Sequence, residues 1–146
     1  MRINARSSEK CLTNRRGAAA VEFAIVLPVL LVLVLGCVDL GRVLSVSIAV
    51  SNAARVGAEY GATHRFTSYT QSSWETQLRQ QSTVELQDVQ GFDSSQMSLT
   101  LTTANQADGT IQVTVVVVYP FRMVSNWPGL PTTFNVQRSV TYRQFQ

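Results

Sequence analysis

Beyond Val38 the chain has no cysteine, which excludes a disulfide framework or a thiolate metal site in most of the molecule. Only Cys11 and Cys37 exist, one in a short basic leader and one deep in an apolar run, so no bridge between them is expected. Histidine is as scarce. His64 stands alone at an expected helix-to-loop junction, with no second imidazole or thiol to complete a zinc site. Serines are plentiful, but no Gly-x-Ser-x-Gly surrounds one, and neither a P-loop nor a glycine-rich dinucleotide motif occurs. With no catalytic set, no metal site and no cofactor motif, the chain is not expected to be an enzyme.

Charge is thin as well, at 14% of residues, and unevenly placed. Through Gly17 there are five basic residues (Arg2, Arg6, Lys10, Arg15, Arg16) against one acid, Glu9. From Ala18 onward there are seven basic and eight acidic residues. The net +3 therefore belongs to the leader. The remainder has no basic excess to attract nucleic acid, so that class of partner is set aside.

What the chain does have is a long apolar run. Phe23 to Val38 is unbroken, and Ala18 to Val21 extends it to about 20 residues, interrupted only by Glu22. At 1.5 Å rise per residue the run spans roughly 30 Å, the thickness of a bilayer's hydrocarbon core. Arg15 and Arg16 flank it on the N-terminal side, so that end is expected in the cytoplasm, with the C-terminal portion exported after one crossing. A cleaved secretory signal fits poorly, because its apolar core is only about 7–15 residues and ends at a small-x-small site. Here Asp39-Leu40-Gly41-Arg42 follows instead. Pro28 lies inside the run, where a membrane helix tolerates it as a packing kink. Glu22 is the anomaly, since an acid within a membrane segment is costly and points to function. A plainer reading has Glu22 reaching back to the headgroups.

Gly17, then four residues, then Glu22 and the aromatic Phe23, resembles the prepilin peptidase site of type IV pilin-like proteins. The stretch Arg15 to Ala62 resembles the TadE-like pseudopilins of tight-adherence (Flp) pilus systems. The matching landmarks are Arg-Arg-Gly-Ala-Ala-Ala-Val-Glu-Phe-Ala, Leu-Pro-Val-Leu-Leu, Gly41-Arg42 and Asn52-Ala-Ala-Arg-Val-Gly-Ala58. The resemblance implies cleavage between Gly17 and Ala18 by an integral-membrane aspartic peptidase. It also implies a bacterial inner-membrane location and co-assembly with other pilins and pseudopilins on an assembly platform. A minor pseudopilin, acting in initiation, tip structure or assembly, fits this chain better than the short major pilin. The physical requirements agree. Gly17, Ala18, Ala19 and Ala20 offer small side chains around a scissile bond. Cleavage would create an amine in an apolar setting, and Glu22 would supply its partner there, in the same subunit or a neighbour. The alternative is an uncleaved single-pass anchor presenting its head as a receptor or adhesin.

Past the run, Val43, Val46, Val50, Ala53, Gly57 and Tyr60 recur at helical spacing, with a second, small stripe of Ser47, Ser51, Ala54 and Ala58. One long helix is expected from about Ala18 to Ala62, membrane-spanning over 18–38 and exported over 39–62. Asp39 and Arg42 are placed to pair at i,i+3, or simply to be solvated ends of the run. The exported head is 63–146. Ser72 and Glu75 suggest a capping box opening a second helix, about Ser73 to Asp88, with Trp74, Leu78, Leu86 and Val89 on one face and Gly91 after it. Strands are expected near 96–103, 110–119 and 133–143. Met97, Leu99 and Leu101 alternate with polar residues; Val115 to Val118 is apolar on both faces and reads as a central strand. Arg138 interrupts the inner face of Phe134, Val136, Val140 and Tyr142 in the last. Trp127, in a Pro/Gly loop, is either a partner contact or tucked in. The fold expected is α+β and pilin-like: a long N-terminal helix, half membrane and half exported, packed on a small antiparallel sheet with a second helix.

Overall fold

The computed structural model describes residues 6–125, 129 and 131–144, with side chains from residue 17 onward. Its first element, α1, is the helix Arg6–Thr63. It starts earlier than the expected Ala18. Ser7 to Arg16 contains no proline or glycine and several good helix formers, so nothing stops the helix from running through the leader and Gly17. Pro28 lies within it. The chain divides after Val38 into two units. In the first, residues 17–38 are exposed except the half-buried Gly36, with Phe23 at 60% and Ile25 at 69%. A helix that is apolar all round and uncovered by its own chain does not suit water. Helix residues Gly17–Thr63 include a stretch long and apolar enough to cross a membrane.

The second unit is the α+β head. The remainder of α1 and a second helix, α2 (Gln71–Val84), pack on a three-stranded antiparallel sheet of β1 (Ser98–Asn105), β2 (Ile111–Arg122) and β3 (Thr133–Gln144), in the order β1-β2-β3. β-branched residues every second position drive β2 into the centre. Val113, Val115 and Val117 are fully buried, opposite Thr103, Leu101 and Leu99 on one side and Tyr142, Val140 and Arg138 on the other. They meet Val50, Ala53, Ala54 and Ala58 of α1 and Leu78 of α2, all fully buried. Both small and large stripes of α1 past Val38 thus serve the core. Arg138 does not break the inner face. Its guanidinium crosses to α1 and donates to Ser47 Oγ at 3.0 Å.

Polar side chains close the ends of these elements. Gln144, at the last position of β3 and buried, donates to the carbonyls of Gly61 (3.2 Å) and His64 (2.9 Å) at the C-terminus of α1. Arg79 of α2 donates to the Leu99 carbonyl of β1 at 2.8 Å. Asp93 and Asp108 cap surface turns through Ser95 and Thr110. The hydroxyl and then the amide of those residues hold both carboxyls below their ordinary range. Each therefore favours the folded state above the unfolded pKa and loses that contribution as pH falls through the folded one.

Some boundaries differ from expectation. The helix α2 begins at Gln71, so Ser72 and Glu75 are interior and form no capping box; Ser73 Oγ donates to the Thr70 carbonyl and Gln71 to Glu75. It ends at Val84, and Leu86 and Val89 reach the core from the turns that follow. The strand β2 runs through Pro120 to Arg122. Pairing with β1 stops at Val118, so Pro120 has a neighbour on the β3 side only, where its missing N–H does no harm. Trp127 lies outside the described residues.

Candidate functional site

The residues singled out for processing lie together on exposed helix. Gly17 and Ala18 are exposed, and a Cβ built on Gly17 would meet nothing within 4 Å. Ala19, Ala20, Glu22 and Phe23 are exposed as well. Arg15 and Arg16 belong to the same helix, with side chains outside the described set. Positions 18 and 22 are one turn apart and share a face. Among the described residues no side chain pairs with the Glu22 carboxylate. An acid on a helix of this apolarity is costly unless a partner satisfies it.

A second polar centre sits just past the apolar run. Asp39 is buried at 5% exposure and accepts from the backbone amides of Val124 (3.0 Å) and Ser125 (3.2 Å), at the start of the β2–β3 loop. Arg42 stands 3.6 Å from Asp39, lies 5.2 Å over the Phe121 ring, and donates to the Arg122 carbonyl at 3.4 Å. The expected Asp39–Arg42 proximity is present, but the pair is no solvated end. Asp39 fastens the helix to a loop 85 residues away in sequence. No local signal could reveal partners at that separation. Replacing Asp39 with Ala removes the acceptor of two part-buried amides. The expected cost is about 1–3 kcal/mol, read as a lowered unfolding midpoint of the full-length chain in detergent micelles. An unchanged midpoint would show that the clamp carries no stability.

The guanidinium of Arg42, the end of β2 and the turns after α2 enclose a cleft of about 200 Å³. Its polar lining is Arg42, Arg122, Ser45, Gln90 and Gln96. The Arg122 side chain is exposed and has no bonded partner among the described residues.

Residues 17–59 match a family model described as TadE-like protein. That segment is TadE-like. The match opens on Gly17 and closes on Glu59, inside α1. It therefore takes in Ala18, Glu22, Phe23, Asp39 and Arg42, and leaves α2 and the sheet outside. No curated protein and no solved structure matches the chain. The apolar helix is a candidate membrane anchor.

Proposed function

We propose that the chain is a minor pseudopilin of a tight-adherence pilus, processed by a prepilin peptidase and acting in pilus assembly, initiation or tip structure. In this reading residues 18–38 span the bacterial inner membrane, the basic leader stays in the cytoplasm, and residues 39–146 are exported. The peptidase cuts between Gly17 and Ala18. The mature subunit then joins other pilins and pseudopilins on the assembly platform.

One observation carries the reading: a TadE-like segment that begins at Gly17 and holds an exposed Glu22, with no side-chain partner among the described residues, five residues later in a strongly apolar stretch of helix. Cutting at Gly17 makes Ala18 the first residue of the helix. Glu22 then falls within the first turn or so, where the macrodipole favours an anion, and shares a face with the new amine. Before the cut neither benefit exists. The continuity of α1 through Gly17 suits the rival reading, an uncleaved anchor with a receptor or adhesin head. Intact mass of the membrane-extracted protein from piliated cells separates the two. The expected N-terminus is Ala18, and a chain beginning at Met1 would refute processing.

A further inference from the structure

We infer that the free edge of β3, with the apolar flank of α1 beside it, takes up an extended, acidic segment of a partner protein as a fourth strand. The inference rests on the fold of the head, not on the reading of residues 18–38. The first observation is in the backbone. The Met123 amide donates to the Thr132 carbonyl at 2.9 Å, which continues the β2–β3 register by one pair. Bonded pairs in an antiparallel ladder recur at every second residue. The even-numbered residues of β3 therefore bond to β2, and the amides and carbonyls of Asn135, Gln137, Ser139, Thr141 and Arg143 point away from it. Among the described residues one group meets them, the Arg138 guanidinium on the Gln137 carbonyl at 3.3 Å. The register holds along all of β3 without a bulge, and the strand has no proline. A long bare edge of this kind accepts a further strand. The other edge is guarded. The Gln106 amide donates to the Thr110 carbonyl, so by the same alternation the odd-numbered residues of β1 face outward, and Arg79 of α2 takes the outward Leu99 carbonyl at 2.8 Å.

The second observation is on α1. Arg138 donates to Ser47, so Ser47 marks the side of α1 next to β3. At 3.6 residues per turn, Ser51, Leu44 and Ile48 lie about 40–100° further round, away from the buried Val46 and Val50. Leu44 is 55% exposed and Ile48 62%. A strand added to β3 runs beside this flank and sets every second side chain down on it. The third observation is charge. The strand β3 carries Arg138 and Arg143 and no acid. Arg143 is met by Asp108. Arg55, one turn past Ser51, is exposed and has no ion pair among the described residues. The inner side of the added strand must therefore bring a carboxylate toward Arg138 and Arg55. A second copy does not fit: its β3 would bring two more arginines, and its β1 edge is guarded. A helix laid on Leu44 and Ile48 would leave the outward amides of β3 bare.

The test adds a synthetic peptide with blocked ends, Thr-Val-Thr-Val-Thr-Glu-Thr-Val-Thr, to the full-length protein in micelles. Paired antiparallel to β3, it sets valines on the inner side and its acid opposite Arg138. Affinity is read from the fluorescence anisotropy of labelled peptide, and the site from amide hydrogen exchange. Bound peptide should slow exchange at Gln137, Ser139 and Thr141. The amides of Val136, Arg138 and Val140, already bonded to β2, should not change. Ser139→Pro removes one outward N–H, which an edge strand tolerates, so the unfolding midpoint should hold while affinity falls about tenfold. Ile48→Ser should lower it by a similar factor, about tenfold, through lost apolar contact. A peptide with lysine in place of its acid should bind about fivefold more weakly, at the upper end of what an exposed pair contributes. A peptide that does not bind, or binds without protecting the three outward amides, overturns the site. So does equal affinity for wild type and Ser139→Pro. Equal affinity for the lysine peptide removes the acidic partner. Protection of the same amides that rises with protein concentration in the absence of peptide would mark a second copy as the occupant and overturn the proposal.

Discussion

Replacing Gly61 with leucine is expected to cost the head more than 3 kcal/mol, above the roughly 1–3 kcal/mol typical of overpacked cores. The reason is a junction with no slack. A Cβ built on Gly61 would lie 2.7 Å from Val113 Cγ1, 3.2 Å from Leu78 and 3.3 Å from Trp74. One turn earlier, a Cβ on Gly57 would strike Ser82 Oγ and approach Leu78 and Val115 at 3.4 Å. The helices α1 and α2 and the central strand therefore meet where two glycines remove side chains from α1. Val113 cannot yield, because it is β-branched and held between β1 and β3. Ser82, fully buried and with no hydrogen-bond partner among the described residues, fits here by size: a larger residue would close the gap that Gly57 leaves. Even Gly61→Ala sets a helix-propensity gain of about 1 kcal/mol against a clash, and the clash should win. Gly41→Ala is the control. Its Cβ would meet nothing within 4 Å, so the propensity gain should appear alone. Denaturant unfolding of the two full-length variants in micelles should move in opposite directions. Movement in the same direction would show that the glycines are not there for close approach.

That junction marks the limit of what the sequence discloses. The local periods were legible. Val113, Val115 and Val117 alternate inward as expected, Leu99 is buried on β1, and Val46, Val50 and Ala53 of α1 are buried in the head. These depend only on the geometry of one element. Partners far apart in the chain were not legible. Asp39 reaches Val124, Gln144 reaches Gly61, and Arg138 reaches Ser47, each across 80 or more residues. Nothing near Asp39 distinguishes a buried clamp from a solvated helix end until the β2–β3 loop is in place. Two local signals also misled. Ser72 and Glu75 have the spacing of a capping box, yet the helix starts two residues sooner, at Gln71. Pro120 reads as a strand terminator but lies past the end of β1, where it need not donate. The proposed processing residues depend on no such long-range partner. Gly17, Ala18, Glu22 and Phe23 form one contiguous motif, and its chemistry requires no fold.

The Glu22 carboxylate in that motif supports the other large prediction. Glu22→Ala is expected to leave membrane insertion intact and to lower incorporation into pili by about 100-fold. The direction of the first effect is set by solvation. Removing an acid from an apolar segment makes the segment more hydrophobic and insertion easier. A loss of pili can then not be ascribed to a failure to reach the membrane. The size of the second follows from what remains. In the assembled state the Ala18 amine would lack its partner, and an uncompensated buried charge costs about 3–5 kcal/mol. Since 1.4 kcal/mol is a factor of ten, even the lower figure reaches 100-fold. Glu22→Gln should behave like alanine, because the amide has the size of the acid without its charge. Glu22→Asp should fall between, with the charge kept and the reach shortened by one methylene. That order, acid above shortened acid above amide and alanine, belongs to a charge pair. A carboxylate that only anchors to headgroups would instead tolerate glutamine, since a neutral polar group can reach the interface as well. Glu22→Gln subunits entering pili at the wild-type level would therefore remove the charge-pair role and leave Glu22 as an interfacial residue.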